Sequence, residues 1–180
     1  VIHSTDRLGM PKVESARLAL QALNPHVEIQ AVPASLTRAN VVESLAPFDV
    51  IVGCTDNFPA RYLLNDACVL LRKPWVDGAI RHFDGQVAVY LPGRGPCYRC
   101  LFPEPPPPEL LPSGADLGVM GVVPGIIGCL QASEVLKLLL GRGEPLAGRL
   151  LLFDGLRARF REIRVPREPN CPACGEGETP

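Results

Sequence analysis

Phe48-Asp49-Val50-Ile51-Val52-Gly53, followed at once by Cys54-Thr55-Asp56-Asn57, is the stretch whose reading decides the fold. A continuous apolar run bounded by a polar turn reads as a strand buried on both faces, the kind found in parallel sheets. Asn57 and Pro59 supply a cap and a first-turn proline, and the apolar positions Ala60, Leu63, Leu64, Ala67, Leu70 and Leu71 then recur at helical spacing. Strand, turn and helix in this order place the turn at the carboxyl end of a parallel strand, where open α/β sheets bind ligands. A carboxylate there, Asp56, suits Mg²⁺. The competing reading is helix capping, but Asn57 can take that role and leave Asp56 free.

Working outward, 10–23 is a helix with Val13, Ala16, Leu20 and Leu23 on one face, 27–32 alternates as a strand, and 37–45 is a short helix. Downstream, 74–80 and 85–90 read as neighbouring strands, and 149–154 with 159–165 as a hairpin about Gly155. The order implies an α/β fold: a Rossmann-like, mostly parallel sheet with added antiparallel strands and helices on both faces. The segment 122–140 is apolar on nearly all sides, with Gly121, Gly125 and Gly128 stepped along it, so it is expected to be a central buried helix with Cys129 an inert core thiol. Pro103-Glu104-Pro105-Pro106-Pro107-Pro108 fits neither a helix nor an inner strand, which makes 103–116 a crossing loop. A polar tail, 166–180, closes the chain.

The chain has 180 residues, 47% of them apolar, and a net charge of −1, enough for one full core and too balanced to advertise nucleic acid as a partner. The first residues have no basic or apolar leader pattern, so one soluble domain in a reducing cytoplasm is expected. The stretch 118–130 is interrupted by Pro124 and followed by Gln131, Glu134 and Lys137, too short and too polar for a membrane span.

Four of the seven cysteines form two Cys-x-x-Cys pairs, Cys97-Tyr98-Arg99-Cys100 and Cys171-Pro172-Ala173-Cys174. Widely spaced pairs of this kind present four thiolates to one Zn²⁺, and a closed tetrahedron leaves no position for substrate, so the site is structural. Two disulfides or a redox pair are the alternatives. Lys12 stands in the first turn of a helix, where a bound anion would offset the dipole; a solvated surface lysine is the other reading. No Gly-rich phosphate loop follows a strand, His3, His26 and His82 are scattered, and Cys54 and Cys68 are thiols whose reactivity depends on surroundings.

Several segments together resemble the ubiquitin-activating-enzyme-like superfamily, specifically the MoeB and ThiF group of sulfur-carrier-protein adenylyltransferases, with the MoeB branch the nearer. They are Gly9-Met10-Pro11-Lys12-Val13-Glu14-Ser15-Ala16, Cys54-Thr55-Asp56-Asn57, Gly85-Gln86-Val87, Gly128-Cys129-Leu130-Gln131-Ala132 and the two cysteine pairs, in the family's order. The resemblance implies ATP-dependent adenylation of the C-terminal glycine of a ubiquitin-like sulfur carrier, with Lys12 on the phosphates, Asp56 and Asn57 at Mg²⁺, a separate sulfur donor and a homodimer. The carrier would serve molybdopterin, thiamin or thiolated-tRNA synthesis. The family's Gly-rich loop, ribose-binding acid and nucleotide arginines would precede Val1, so the chain is expected to be N-terminally incomplete. Gly114 stands where many relatives carry a sulfur-handling cysteine, which implies that no covalent step occurs there. A non-catalytic, zinc-stabilised carrier-binding module is the competing reading. A nicotinamide-dependent oxidoreductase would need the missing Gly-rich unit.

Overall fold

The computed structural model describes residues 2–107 and 118–175. The described chain separates into two compact units, divided between Leu36 and Thr37. In the first, α1 (Lys12–Leu23) forms where the periodicity places it, with Pro11 at its N-cap. Ser15 is held by the His3 ring through its Oγ at 2.9 Å, and its carbonyl accepts from Arg7 Nη1 at 2.9 Å. The stretch 27–32 is not a strand. Alternation supplies a face, but a strand exists only through ladder bonds to a neighbour, and no strand pairs with this stretch among the described residues.

The second unit contains α2 (Val41–Leu45), β1 (Ile51–Gly53), α3 (Phe58–Leu71), β2 (Trp75–Arg81), β3 (Asp84–Tyr90), α4 (Tyr98–Leu101), α5 (Val122–Leu140), β4 (Arg149–Asp154) and β5 (Arg159–Arg164). The strands make one mixed sheet in the order β1-β2-β3-β4-β5. The balance within it differs from the mostly parallel sheet expected: β1 and β2 are parallel, whereas β2–β3, β3–β4 and β4–β5 are antiparallel. The reason is local, since β2 to β3 and β4 to β5 are joined by tight turns that can only reverse the chain. The run 48–53 yields three strand residues, and Val52, on the outer edge of the described sheet, is exposed.

Both faces of the sheet are covered. Successive strand residues point to opposite sides, and in β2 and β3 this sends Trp75, Ala88 and Tyr90 into a core with Tyr62, Leu64, Ala67 and Cys68 of α3. Val76, Val87 and Val89 go to the other side, against Val123 and Ile127 of α5. The core face of α3 is broader than its apolar positions: Arg61 and Asn65 are buried with it, while Leu70 is exposed. Asn65 earns its place by accepting the Tyr98 backbone N–H at 2.8 Å, which starts α4.

The helix α5 is not buried all round. Val123, Ile127, Gln131 and Glu134 form a single buried stripe, and Leu136, Leu139 and Leu140 are more than half exposed. Cys129 is exposed rather than a core thiol, because it falls on the face opposite that stripe. A Cβ at Gly121, Gly125 or Gly128 would meet nothing within 4 Å, so these glycines serve no close approach within the described chain. By length and composition alone α5 could cross a membrane, with a mean hydropathy of 1.5. Its polar pair nevertheless docks onto the rest of the second unit. Gln131 Nε2 donates to the Gly53 carbonyl at 2.8 Å, and Glu134 accepts the Leu146 N–H at 2.8 Å.

Gln131 lies directly under Gly78 of β2: a Cβ there would fall 2.3 Å from its Cδ. The amide cannot give way without releasing Gly53. Gly78→Ala should therefore destabilise the second unit by about 1–3 kcal/mol, read as a lower urea midpoint; an unchanged midpoint would mean that the helix floats on the sheet.

Candidate functional site

The face of the sheet that α3 covers near Trp75 continues beyond the helix. Four residues beyond Trp75, Ala79 pairs with Gln86, and Leu152 and Arg161 continue the row across β4 and β5; two residues further still come Arg81, Asp84, Asp154 and Arg159. These two rows form the floor of an open groove of about 1170 Å³. Phe58 and Arg61 of α3 line it as well, as do Pro106 of the crossing loop and Phe102 and Val119 on either side of that loop. Residues 108–116 of that loop, Gly114 among them, lie outside the described residues. Val119 returns the chain beside the end of β2 through a bridge to His82.

Asp56 lines this groove just past β1, where the sequence placed it. Its neighbour Asn57 does cap α3, accepting the Ala60 N–H at 2.9 Å, and donates from Nδ2 to Asp56 Oδ1 at 3.1 Å. Asp56 is thus an exposed carboxylate with no capping duty. Lys12, in the first unit, opens α1 with its side chain exposed.

Arg61 and Asp77 were not legible as site residues. Arg61 Nη2 donates to the Thr55 carbonyl at 2.8 Å, and its Nε lies 3.9 Å from Asp77 Oδ1. Asp77 is 2% exposed, and burial, opposed by the Arg61 charge, pushes its carboxyl up from 3.8 to about 6. The available signal was a lone carboxylate inside the apolar strand Trp75-Val76-Asp77-Gly78. The two thiols left open are poor nucleophiles. Burial pushes Cys68 up to about 12, and burial together with the Asp77 charge raises Cys54.

The two cysteine pairs do converge. Cys97 caps α4, Cys100 sits within it, and Cys171 and Cys174 lie in the turn after β5. Cys97 and Cys171 Sγ are 3.5 Å apart, Cys100 and Cys174 Sγ 3.4 Å, and all four sulfurs lie within 4.8 Å of one another. A tetrahedral ion with metal–sulfur bonds of about 2.3 Å requires sulfurs about 3.8 Å apart, so the set fits one metal. Backbone N–H groups of Cys97 and Glu168 point at Cys100 Sγ, at 3.5 and 3.4 Å, as donors to a thiolate would. A cluster of four thiols, half of them buried, gathers around a cation more readily than around nothing.

The comparisons with known proteins agree with this layout. The ThiF family pattern matches residues 1–173. The chain is 55% identical over 184 residues to a protein of Thermus thermophilus named sulfur carrier protein adenylyltransferase, covering 99% of the chain and 68% of that protein. It is 52% identical over 175 residues to adenylyltransferase and sulfurtransferase MOCS3 of Drosophila sechellia, covering 97% of the chain but 39% of that protein. Among solved structures, E. coli MccB with ATP superposes with a TM-score of 0.83 at 20% identity, over 97% of this chain and 54% of that one, which shows the fold. The chain therefore spans between about two fifths and two thirds of the curated relatives it matches.

Two outcomes follow. The purified protein should carry one metal ion per chain by elemental analysis, and Cys171→Ser or chelation should speed hydrogen exchange in 97–101 and 165–175, since structural metal binding contributes on the order of 10 kcal/mol in small domains; a metal-free, equally protected protein would refute the site. Asp77 binds its proton more tightly folded than unfolded, so its contribution favours the fold below about pH 4 and is lost as pH rises through about 6. The urea midpoint should fall across that window more steeply in the wild type than in Asp77→Asn, and parallel profiles would contradict the assignment.

Proposed function

The chain belongs to the ThiF family, and from that premise we propose that the full-length protein carrying it adenylates the C-terminal glycine of a ubiquitin-like sulfur-carrier protein. The glycine carboxylate attacks the α-phosphate of ATP and pyrophosphate leaves; sulfide-level sulfur from a separate donor then attacks the acyl carbon of the adenylate, the C–O bond to AMP breaks, and AMP leaves the carrier as a thiocarboxylate. Molybdopterin, thiamin or thiolated-tRNA synthesis would consume the product. The observation that carries this reading is the position of Asp56: an exposed, unemployed carboxylate at the end of β1, on a groove that crosses the sheet to Arg159 and Arg161 of β5.

An open groove whose floor sets Ala79 and Leu152 among amide and charged side chains suits an extended peptide, so the carrier's tail is placed along it with its terminal carboxylate toward Asp56. Mg²⁺, when bound, would neutralise charge on the triphosphate. Asp56 is assigned to hold it with Asn57 alongside, and Lys12, at the N-terminal end of α1, to bind phosphate. The groove residues beside the crossing loop would shield the mixed anhydride from water. The raised Cys54 and Cys68 thiols support a route without a protein-bound thioester in this chain. The cysteine cluster is assigned to structural Zn²⁺, the ion its all-sulfur donor set favours. A second copy is assigned to the exposed apolar stripe of α5, where the uncrowded Gly125 and Gly128 permit close helix packing.

The test is carrier-dependent exchange between ATP and pyrophosphate. Asp56→Ala should abolish it, removing several kcal/mol of transition-state stabilisation, while circular dichroism and metal content stay as in the wild type. Undiminished exchange in that variant would remove Asp56 from the mechanism. A wild type that binds carrier without exchange would leave a carrier-binding module.

A further inference from the structure

The buried polar atoms left without a partner gather at one place. Among the described residues, Thr55 Oγ1, Arg61 Nε, Trp75 Nε1, Asp77 Oδ1 and Tyr98 OH have no partner at good hydrogen-bonding geometry. Leaving one such atom unsatisfied costs about 1–3 kcal/mol, so a group of five calls for a reason. They surround the end of β1: a Cβ on Gly53 would fall 2.5 Å from Trp75 Nε1 and 3.1 Å from Asp77 Oδ1. Arg61 is the central member. Its side chain is 10% exposed, its nearest counter-charge is Asp77 at 3.9 Å, and its Nη2 donates to the Thr55 carbonyl at 2.8 Å. A buried pair at that separation is weak evidence for stability.

The Thr55 carbonyl shares a rigid peptide plane with the N–H of Asp56. Asp56 itself is exposed, and its one side-chain hydrogen bond is from the adjacent Asn57. Packing therefore does not aim the Asp56 carboxylate; the Asn57 bond and the backbone beneath the turn do. We propose that Arg61, anchored from below by Asp77, is a positioning residue that fixes the Thr55–Asp56 peptide plane and so directs the Asp56 carboxylate into the groove. Asp77 needs no contact with substrate for this. Its task is to keep the Arg61 guanidinium turned toward the Thr55 carbonyl instead of swinging out into the groove it lines.

The inference rests on the reading of Asp56 as the Mg²⁺ carboxylate, and its test separates the two. In the full-length protein, Arg61→Gln, Arg61→Lys and Asp77→Asn are compared with the wild type by exchange assay at varied Mg²⁺ and varied carrier, and by hydrogen exchange of the amides of 54–57. Arg61→Gln and Asp77→Asn should raise the Mg²⁺ needed for half-maximal rate about 10–100-fold, the usual effect of removing a group that orients a metal ligand. Carrier KM should not move, and amides 54–57 should exchange faster while the cysteine cluster keeps its protection. Arg61→Lys, which retains the cation and a donor, should recover part of the loss. An unchanged Mg²⁺ requirement overturns the proposal, as does an effect confined to carrier KM, which would make Arg61 a substrate contact. Should Arg61→Gln not fold, Arg61→Lys and Asp77→Asn decide by the same readouts. Should the wild type show no exchange activity, the functional reading fails and the amides decide alone: faster exchange limited to 54–57 supports the positioning role, and none, or a uniform rise, overturns it.

Discussion

Strands β2 and β3 are buried on both faces, and the rest of the second unit is arranged around the need to cover them. Trp75, Val76, Val87 and Val89 are at most 1% exposed, which requires one helix layer on each side. Burial of a large side chain contributes about 1.5–3 kcal/mol, so this paired ribbon is where the unit's apolar energy is concentrated. α3 and α4 answer the Trp75 face, where Tyr90 and Tyr98 pack against the indole and Tyr62 and Phe102 pack against Tyr98. α5 answers the valine face.

The candidate site is a by-product of that covering. Because β2 to β5 run on past the helices, the same strand face that is core at Trp75 becomes groove floor four residues later, at Ala79. The end of β1 is gripped from both sides: Gln131 reaches it from α5 through the Gly53 carbonyl, and Arg61 from α3 through the Thr55 carbonyl. An exposed carboxylate on a short turn would otherwise sample many directions. Here the two layers that bury the sheet also hold the turn that carries Asp56.

Cysteine convergence follows another logic. The pair in α4 is fixed by the core, since Tyr98 between the two sulfurs is fully buried and Asn65 caps the turn. The pair after β5 has little apolar support of its own: that strand is exposed along its whole length. The four converging thiols join that polar segment to the central layer, and a metal held between them would supply what burial does not.

Local chemistry was readable from the chain wherever a short pattern suffices to specify it. The Asn57 cap, the closing hairpin, the first helix with its end at Leu23 and the convergence of the two cysteine pairs depend on spacing and on residue type, and they stand where the sequence put them. What depended on a partner did not come through. The alternation at 27–32 cannot show whether a neighbouring strand exists, and the apolar surface of α5 cannot show which side meets the sheet, so Cys129 was assigned to a core it does not enter. The β3–β4 pairing, which joins the two antiparallel pairs into a majority of the sheet, was set by which strand lies beside which. Arg61 and Asp77 stayed hidden for the same reason: they are separated in sequence, each is unremarkable alone, and only the stacking of α3 on β2 places them 3.9 Å apart beneath Asp56. Sequence by itself determined the elements and the donor atoms, because those follow from local propensity and valence; the groove and the aim of its carboxylate were decided by tertiary packing, because they exist only between segments.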